Sequence, residues 1–157
     1  MTVAVLPFTN WTDNPHAGGI NARLFASELY HRQLFSVLEP AETEQGLGAT
    51  ENVPQGVFRQ DLAQEAGRRL GVDAVAVGSV SEFAYQHGLR EEPAVGLSIR
   101  LVRVADGKLL WTASHSEIGS GWWRRDSLNL TAQRVVARML DNLESDLERG
   151  PAPGEAP

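Results

Sequence analysis

From Asp73 to Val80 the chain is almost continuously apolar, DAVAVGSV, between Gly71 and a polar stretch. A run of that length predicts a strand buried on both faces. Farther on, Val95, Leu97, Ile99 and Leu101 alternate with Gly96, Ser98 and Arg100, the period of a half-buried strand. Ala105-Asp106-Gly107 then reads as a turn in which glycine supplies a positive φ. Leu109, Trp111 and Ala113 resume the alternation beyond it. One buried strand and a long hairpin therefore form the centre around which helices pack.

The first strand is Thr2 to Phe8, TVAVLPF, ended by Pro7, which cannot donate to a ladder. Thr9 to Gly19 has the composition of a loop. Trp11 within it is read first as cover over the core, because an indole usually finds cover, and otherwise as a contact residue. Ile20 to Phe35 is a helix, with Ile20, Leu24, Phe25, Leu29 and Leu34 near one face. Ser36 to Pro40 is a short strand. From Ala41 to Gln55 the pattern disappears, which predicts a long mobile loop. Phe58 to Leu70 is the second helix, with a stripe of Phe58, Leu62, Ala66 and Leu70 and a left-handed cap at Gly71. Glu82 to Pro93 is a polar connection that can extend the hairpin. Ser127 is an N-cap for a last helix, Leu128 to Glu148. The order β-α-β-α-β-β-β-α predicts a single α/β domain over residues 1–149. About five strands form its mixed sheet, three helices pack on it, and residues 150–157 are a disordered tail.

Composition narrows the function. The 157 residues suffice for one domain, and 42% hydrophobic with 22% charged residues is a globular balance. A formal charge of −6 with scattered basic residues argues against nucleic acid as a partner. The chain has no cysteine, which excludes disulfides, thiolate metal sites and a cysteine nucleophile. Strand-like sequence begins at Thr2, with no charged n-region and apolar h-region before it. Either the protein is cytoplasmic or Met1 stands in place of an export signal.

Candidate chemistry is sparse. His16, His31, His87 and His115 stand apart, with no HxxxH or HxH spacing that would place two imidazoles on one metal. No GxSxG marks a nucleophile elbow, and neither GxGxxG nor GxxxxGK follows the first strand. No catalytic, cofactor or metal residue is therefore assigned. Gly78 inside a strand is read as permitting close packing. Glu82, after the buried strand, is a lone carboxylate. Trp122-Trp123-Arg124-Arg125 stands out, because adjacent side chains point in different directions and Trp with Arg is the composition of interface hot spots. The other reading is one Trp covering the sheet edge and the other stacked on Arg.

Three landmarks together resemble the bacterial envelope proteins grouped around CsgG, LpoB and the N-terminal domain of TolB. They are Ala4 to Phe8 with Asn10, Leu70 to Val80, and Arg100 to Trp111. The resemblance covers Thr2 to Leu143. It implies an anticodon-binding-domain-like fold and a lipoprotein anchored to the outer membrane at its periplasmic face. That placement presumes that the signal and lipidated cysteine have been removed. It also implies no catalysis and work by contact with an envelope protein partner, through peptidoglycan-synthase activation or an accessory role in secretion. A channel subunit is disfavoured, since Ala84 to Ala94 and Gly119 to Asp126 are too short and polar for barrel strands. Trp11, Trp122, Trp123 and Arg124 are the candidate partner contacts, with the 41–55 loop beside them. A second reading is a small-molecule-binding domain or enzyme at the strand ends near Asn10, Asp13 and Glu82. A third is self-assembly into a ring.

Overall fold

The computed structural model describes residues 1–48, 59–86, 91–119 and 127–150. In chain order these form β1 (Thr2–Val5), β2 (Thr9–Asn10), α1 (Ala17–His31), β3 (Ser36–Val37) and α2 (Pro40–Leu47). Then follow α3 (Gln60–Leu70), β4 (Ala74–Gln86), β5 (Glu92–Arg103), β6 (Leu109–Ile118) and α4 (Leu128–Arg149). The α/β class and mixed sheet are as the sequence predicts, with one strand and one helix more.

The six-stranded sheet runs β3-β1-β4-β5-β6, and β2 continues the line of β1 beside β4. β1 is parallel to β3 and β4, whereas β4, β5 and β6 are antiparallel. The parallel half is built by helical crossovers and the antiparallel half by direct hairpins, as strand direction requires. Two residues of the expected first loop, Thr9 and Asn10, are thus strand. The Glu82–Pro93 connection is mostly strand as well: Phe83 pairs with Val95 and Gln86 with Glu92, after a bulge between Val80 and Glu82.

Helices cover the sheet unequally. On one face α1 and α4 pack over the whole width, burying Phe8, Phe25, Leu97, Ile99, Trp111, Val135 and Met139. Phe25 of α1 stacks on Trp111 of β6 with ring centroids 6.5 Å apart. On the other face a smaller cluster holds Ala4, Leu6, Ala63, Val75, Val102 and Val104. α2 and α3 pack on β1, the start of β4 and the end of β5, so among the described residues no helix covers that face toward β6.

The 41–55 segment needs a correction, because Pro40–Leu47 is helix and buries Thr43; residues 49–55 lie outside the described residues. Pro40 opens this helix rather than merely closing a strand, because its fixed φ suits the first turn. α1 begins three residues earlier than expected and stops at His31. The deepest residues of α3 are Ala63 and Gly67, and Ala66 and Leu70 of the expected stripe pack partly buried beside them. A Cβ on Gly67 would lie 2.2 Å from Val104 Cγ2, so the bare glycine lets α3 sit against the sheet. Gly71 (φ 68°) and Gly107 (φ 73°) take the left-handed positions expected of them.

Candidate functional site

Catalytic geometry is missing among the described residues. No group of three His, Cys, Asp or Glu side chains could hold a metal ion. Ser98 and Ser114 come together, but their hydroxyls hydrogen-bond each other at 2.8 Å. His115 is adjacent in sequence, yet alternation turns its ring to the opposite face of β6, under α4. There its Nε2 is buried with no hydrogen-bond partner, as is Oε2 of Glu117 two residues on. Glu117 Oε1 faces Arg138 Nε at 3.7 Å.

The strand-end residues are engaged locally. Asn10 accepts from the N–H and hydroxyl of Thr12 at 2.9 and 2.7 Å and donates to Asn14 O at 2.6 Å. Its amide is occupied in shaping the turn after β2. Glu82 accepts from Gln86 at 2.9 Å along its own strand.

Trp11 is 61% exposed, which overturns the reading that it covers the core. Its main chain is nevertheless fixed, since its N–H donates to Val80 O at 3.0 Å. The indole is thus held outward at the end of β2. Trp122, Trp123 and Arg124 lie outside the described residues.

The sheet face that no described helix covers is the feature that sequence reading missed. The register places Ser79, Ser98 and Ser114 in one cross-strand row. The next rows hold Gly96 with Ser116, and Val77 with Arg100 and Thr112. Ser81, Gly96, Ser98, Ser114 and Ser116 line an open trough of about 370 Å³. A Cβ on Gly96 would approach Ser81 Oγ to 2.6 Å, so the glycine keeps the trough open. The signal was in the sequence as serines at alternate positions, but only the pairing register lines them up.

A second concavity lies at the far end of the sheet, between α1 and the β3–α2 corner. It measures about 290 Å³, with Ser27, Tyr30, Val37, Leu38, Glu39 and Pro40 on its walls. An exposed Arg23–Glu44 pair at 2.6 Å bridges the two helices beside it.

Two charged clusters hold local structure. Arg32 joins α1 to α4, reaching Glu28 at 3.1 Å, Asp141 at 2.7 Å and Ala137 O at 3.2 Å. Although desolvation opposes it, these acidic partners hold the Arg32 pKa above its ordinary value. In the β5–β6 turn, Arg103 binds both oxygens of Asp106 at 2.9 and 2.7 Å. That bidentate pair, with the Lys108 N–H, lowers the Asp106 pKa to about 2.

The geometry defines an LpoB-like α/β fold of the kind found in bacterial envelope lipoproteins. A single-substitution form of the dodecameric PelC of Paraburkholderia phytofirmans superposes with a TM-score of 0.69 at 25% identity, over 90% of this chain and 87% of that one. The lipoprotein GNA1162 of Neisseria meningitidis matches with a TM-score of 0.68 at 20% identity, over 92% and 99% of the two chains. The C-terminal domain of Escherichia coli LpoB matches with a TM-score of 0.52 at 13% identity, over 74% and 81%. No protein-family model matches the sequence, and no curated protein matches it. No helix among the described residues is long and apolar enough to cross a membrane.

Proposed function

We propose that this chain is a non-catalytic domain of a cell-envelope lipoprotein, held at the periplasmic side of the outer membrane and working by contact with protein partners, copies of itself included. The observation that carries this reading is the likeness to the dodecameric PelC, which spans nearly the whole of both chains at 25% identity. The full-length likeness to the lipoprotein GNA1162 supports it. Trp11, held outward by its main chain, is the partner contact within the described residues, and Trp122, Trp123 and Arg124 remain candidates.

The test is fractionation of cells expressing the native gene, with metabolic labelling by an alkyne fatty acid, followed by sedimentation of the purified protein. A labelled product in the outer-membrane fraction that sediments as an oligomer supports the reading. An unlabelled product in the cytosol overturns the placement.

A further inference from the structure

β1 outlasts its neighbour β3. Their ladder ends at the Val3–Val37 pair, because Pro40 opens α2 two residues after Leu38. Alternate residues of β1 serve its two sides. Thr2 O accepts from Asp73 N–H and Leu6 N–H donates to Ala76 O, both at 2.9 Å, so the even-numbered residues face β4. Val3 faces β3, where its O accepts from Leu38 N–H at 2.9 Å. Val5 is in step with Val3 and turns its N–H and C=O to the same side, past the point where β3 has given way to α2.

A cavity of about 30 Å³ lies at that place. Val5, Pro7, Ala22, Ala26 and Leu38 give it apolar walls, and Thr43 of α2 lines it too. Thr43 is 2% exposed. Its N–H donates to Glu39 O at 3.0 Å within the helix. Its hydroxyl has no hydrogen-bond partner among the described residues. A threonine inside a helix ordinarily bonds back to the carbonyl four residues before it or points out to solvent; Thr43 does neither. Arg23 of α1 and Glu44 of α2 also line the cavity. They pair with each other at 2.6 Å with side chains 65% and 49% exposed, so their charges are met on the solvent side.

We propose that this cavity is a binding site for an ordered water molecule, held between α2 and β1 by the Thr43 hydroxyl and the main chain of Val5. Space and polarity both fit. A water needs roughly 10–15 Å³ of such internal volume, so about 30 Å³ admits one, or two at most, and no organic ligand. A buried water makes about three hydrogen bonds, and Thr43 Oγ1, Val5 N–H and Val5 C=O supply three. The water stands where a further residue of β3 would have paired with β1. A water-mediated bond is nearly as favourable as a direct one, so it ties α2 to the sheet where strand pairing stops. The site belongs to the single chain and is independent of any partner or self-assembly.

Crystal structures of the full chain, of Thr43→Val and of Thr43→Ser, at a resolution that shows waters, test the site. Wild type and Thr43→Ser are expected to show solvent density within hydrogen-bond reach of the residue 43 hydroxyl and the Val5 main chain, and Thr43→Val to lack it. An empty cavity in wild type, a Thr43 hydroxyl turned onto Glu39 O, or a cavity filled by protein would each overturn the proposal. Density that persists in Thr43→Val, or vanishes in Thr43→Ser, would overturn the hydroxyl as its anchor. Thermal unfolding gives a second reading in solution. Valine matches threonine closely in shape and in helix propensity. Removing a hydroxyl that bonds a water is expected to lower Tm by about 2–4 °C. Removing one left unpaired in the core would raise it, so an unchanged or raised Tm for Thr43→Val would overturn the proposal.

Discussion

Gly67→Ala sets helix propensity against packing. Gly67 lies inside α3, where alanine is favoured over glycine by about 1 kcal/mol. Propensity alone therefore predicts a more stable protein. The structure predicts the reverse. The new Cβ would meet Val104 Cγ2 at 2.2 Å and Val75 Cγ1 at 3.1 Å. Val75 is fully buried and Val104 nearly so, and short branched side chains have little room to swing away. Overpacking of this kind costs about 1–3 kcal/mol, and so deep an overlap belongs in the upper half of that range. Subtracting the propensity gain leaves a net loss of about 1–2 kcal/mol, or roughly 2–8 °C in Tm for a domain of this size. Urea denaturation of wild type, Gly67→Ala, Val104→Ala and the double variant checks both the sign and the cause. Val104→Ala is expected to cost less in the alanine background than in wild type, because it removes the colliding methyl. An unchanged or raised Tm for Gly67→Ala would refute the reasoning, since α3 would then be free to lift off the sheet.

Three further outcomes follow from particular contacts. The Asp106 carboxyl should titrate near 2 by NMR, and Arg103→Gln should bring it back toward the ordinary carboxylate range. Its folded pKa is depressed, so its contribution to stability is present above the unfolded value of about 3.9 and is lost as pH falls through about 2. Ser127→Ala removes the hydroxyl that caps α4 by accepting from Leu130 N–H at 3.1 Å; a loss of about 1 kcal/mol in urea denaturation is expected. Arg32→Ala unties α1 from α4 and should cost about 1–2 kcal/mol, with faster amide exchange in the last turn of α1.

The elements with a long, clean period were legible in the chain. Alternation from Val95 to Leu101 and from Leu109 to Ala113 marked β5 and β6, and the apolar run at Asp73 marked β4. Gly71, Gly107 and Ser127 carry local rules, a left-handed φ or a side-chain cap, which hold wherever the residue lands. Short elements escaped. Thr9–Asn10 is a strand only because β4 lies alongside it, and Pro40–Leu47 is a helix despite its two exposed turns of polar residues. In α3 the expected Ala66 and Leu70 pack on the core, but the deepest positions are Ala63 and Gly67, because the depth of helix–sheet contact depends on what faces it.

The candidate surface shows the same division. The sequence by itself determined a cysteine-free chain with one α/β domain, serine pairs two residues apart at Ser79–Ser81 and Ser114–Ser116, and none of the catalytic motifs sought in it. It left Trp11 between core and contact, since an indole carries no instruction about which side of a loop it takes. Tertiary structure decided that Trp11 faces outward and that Ser79, Ser98 and Ser114 form one row. It also decided that β6 is the last strand of the sheet among the described residues. The physical reason is that burial periodicity is written within a strand, whereas register and edge position arise from pairing between strands far apart in sequence.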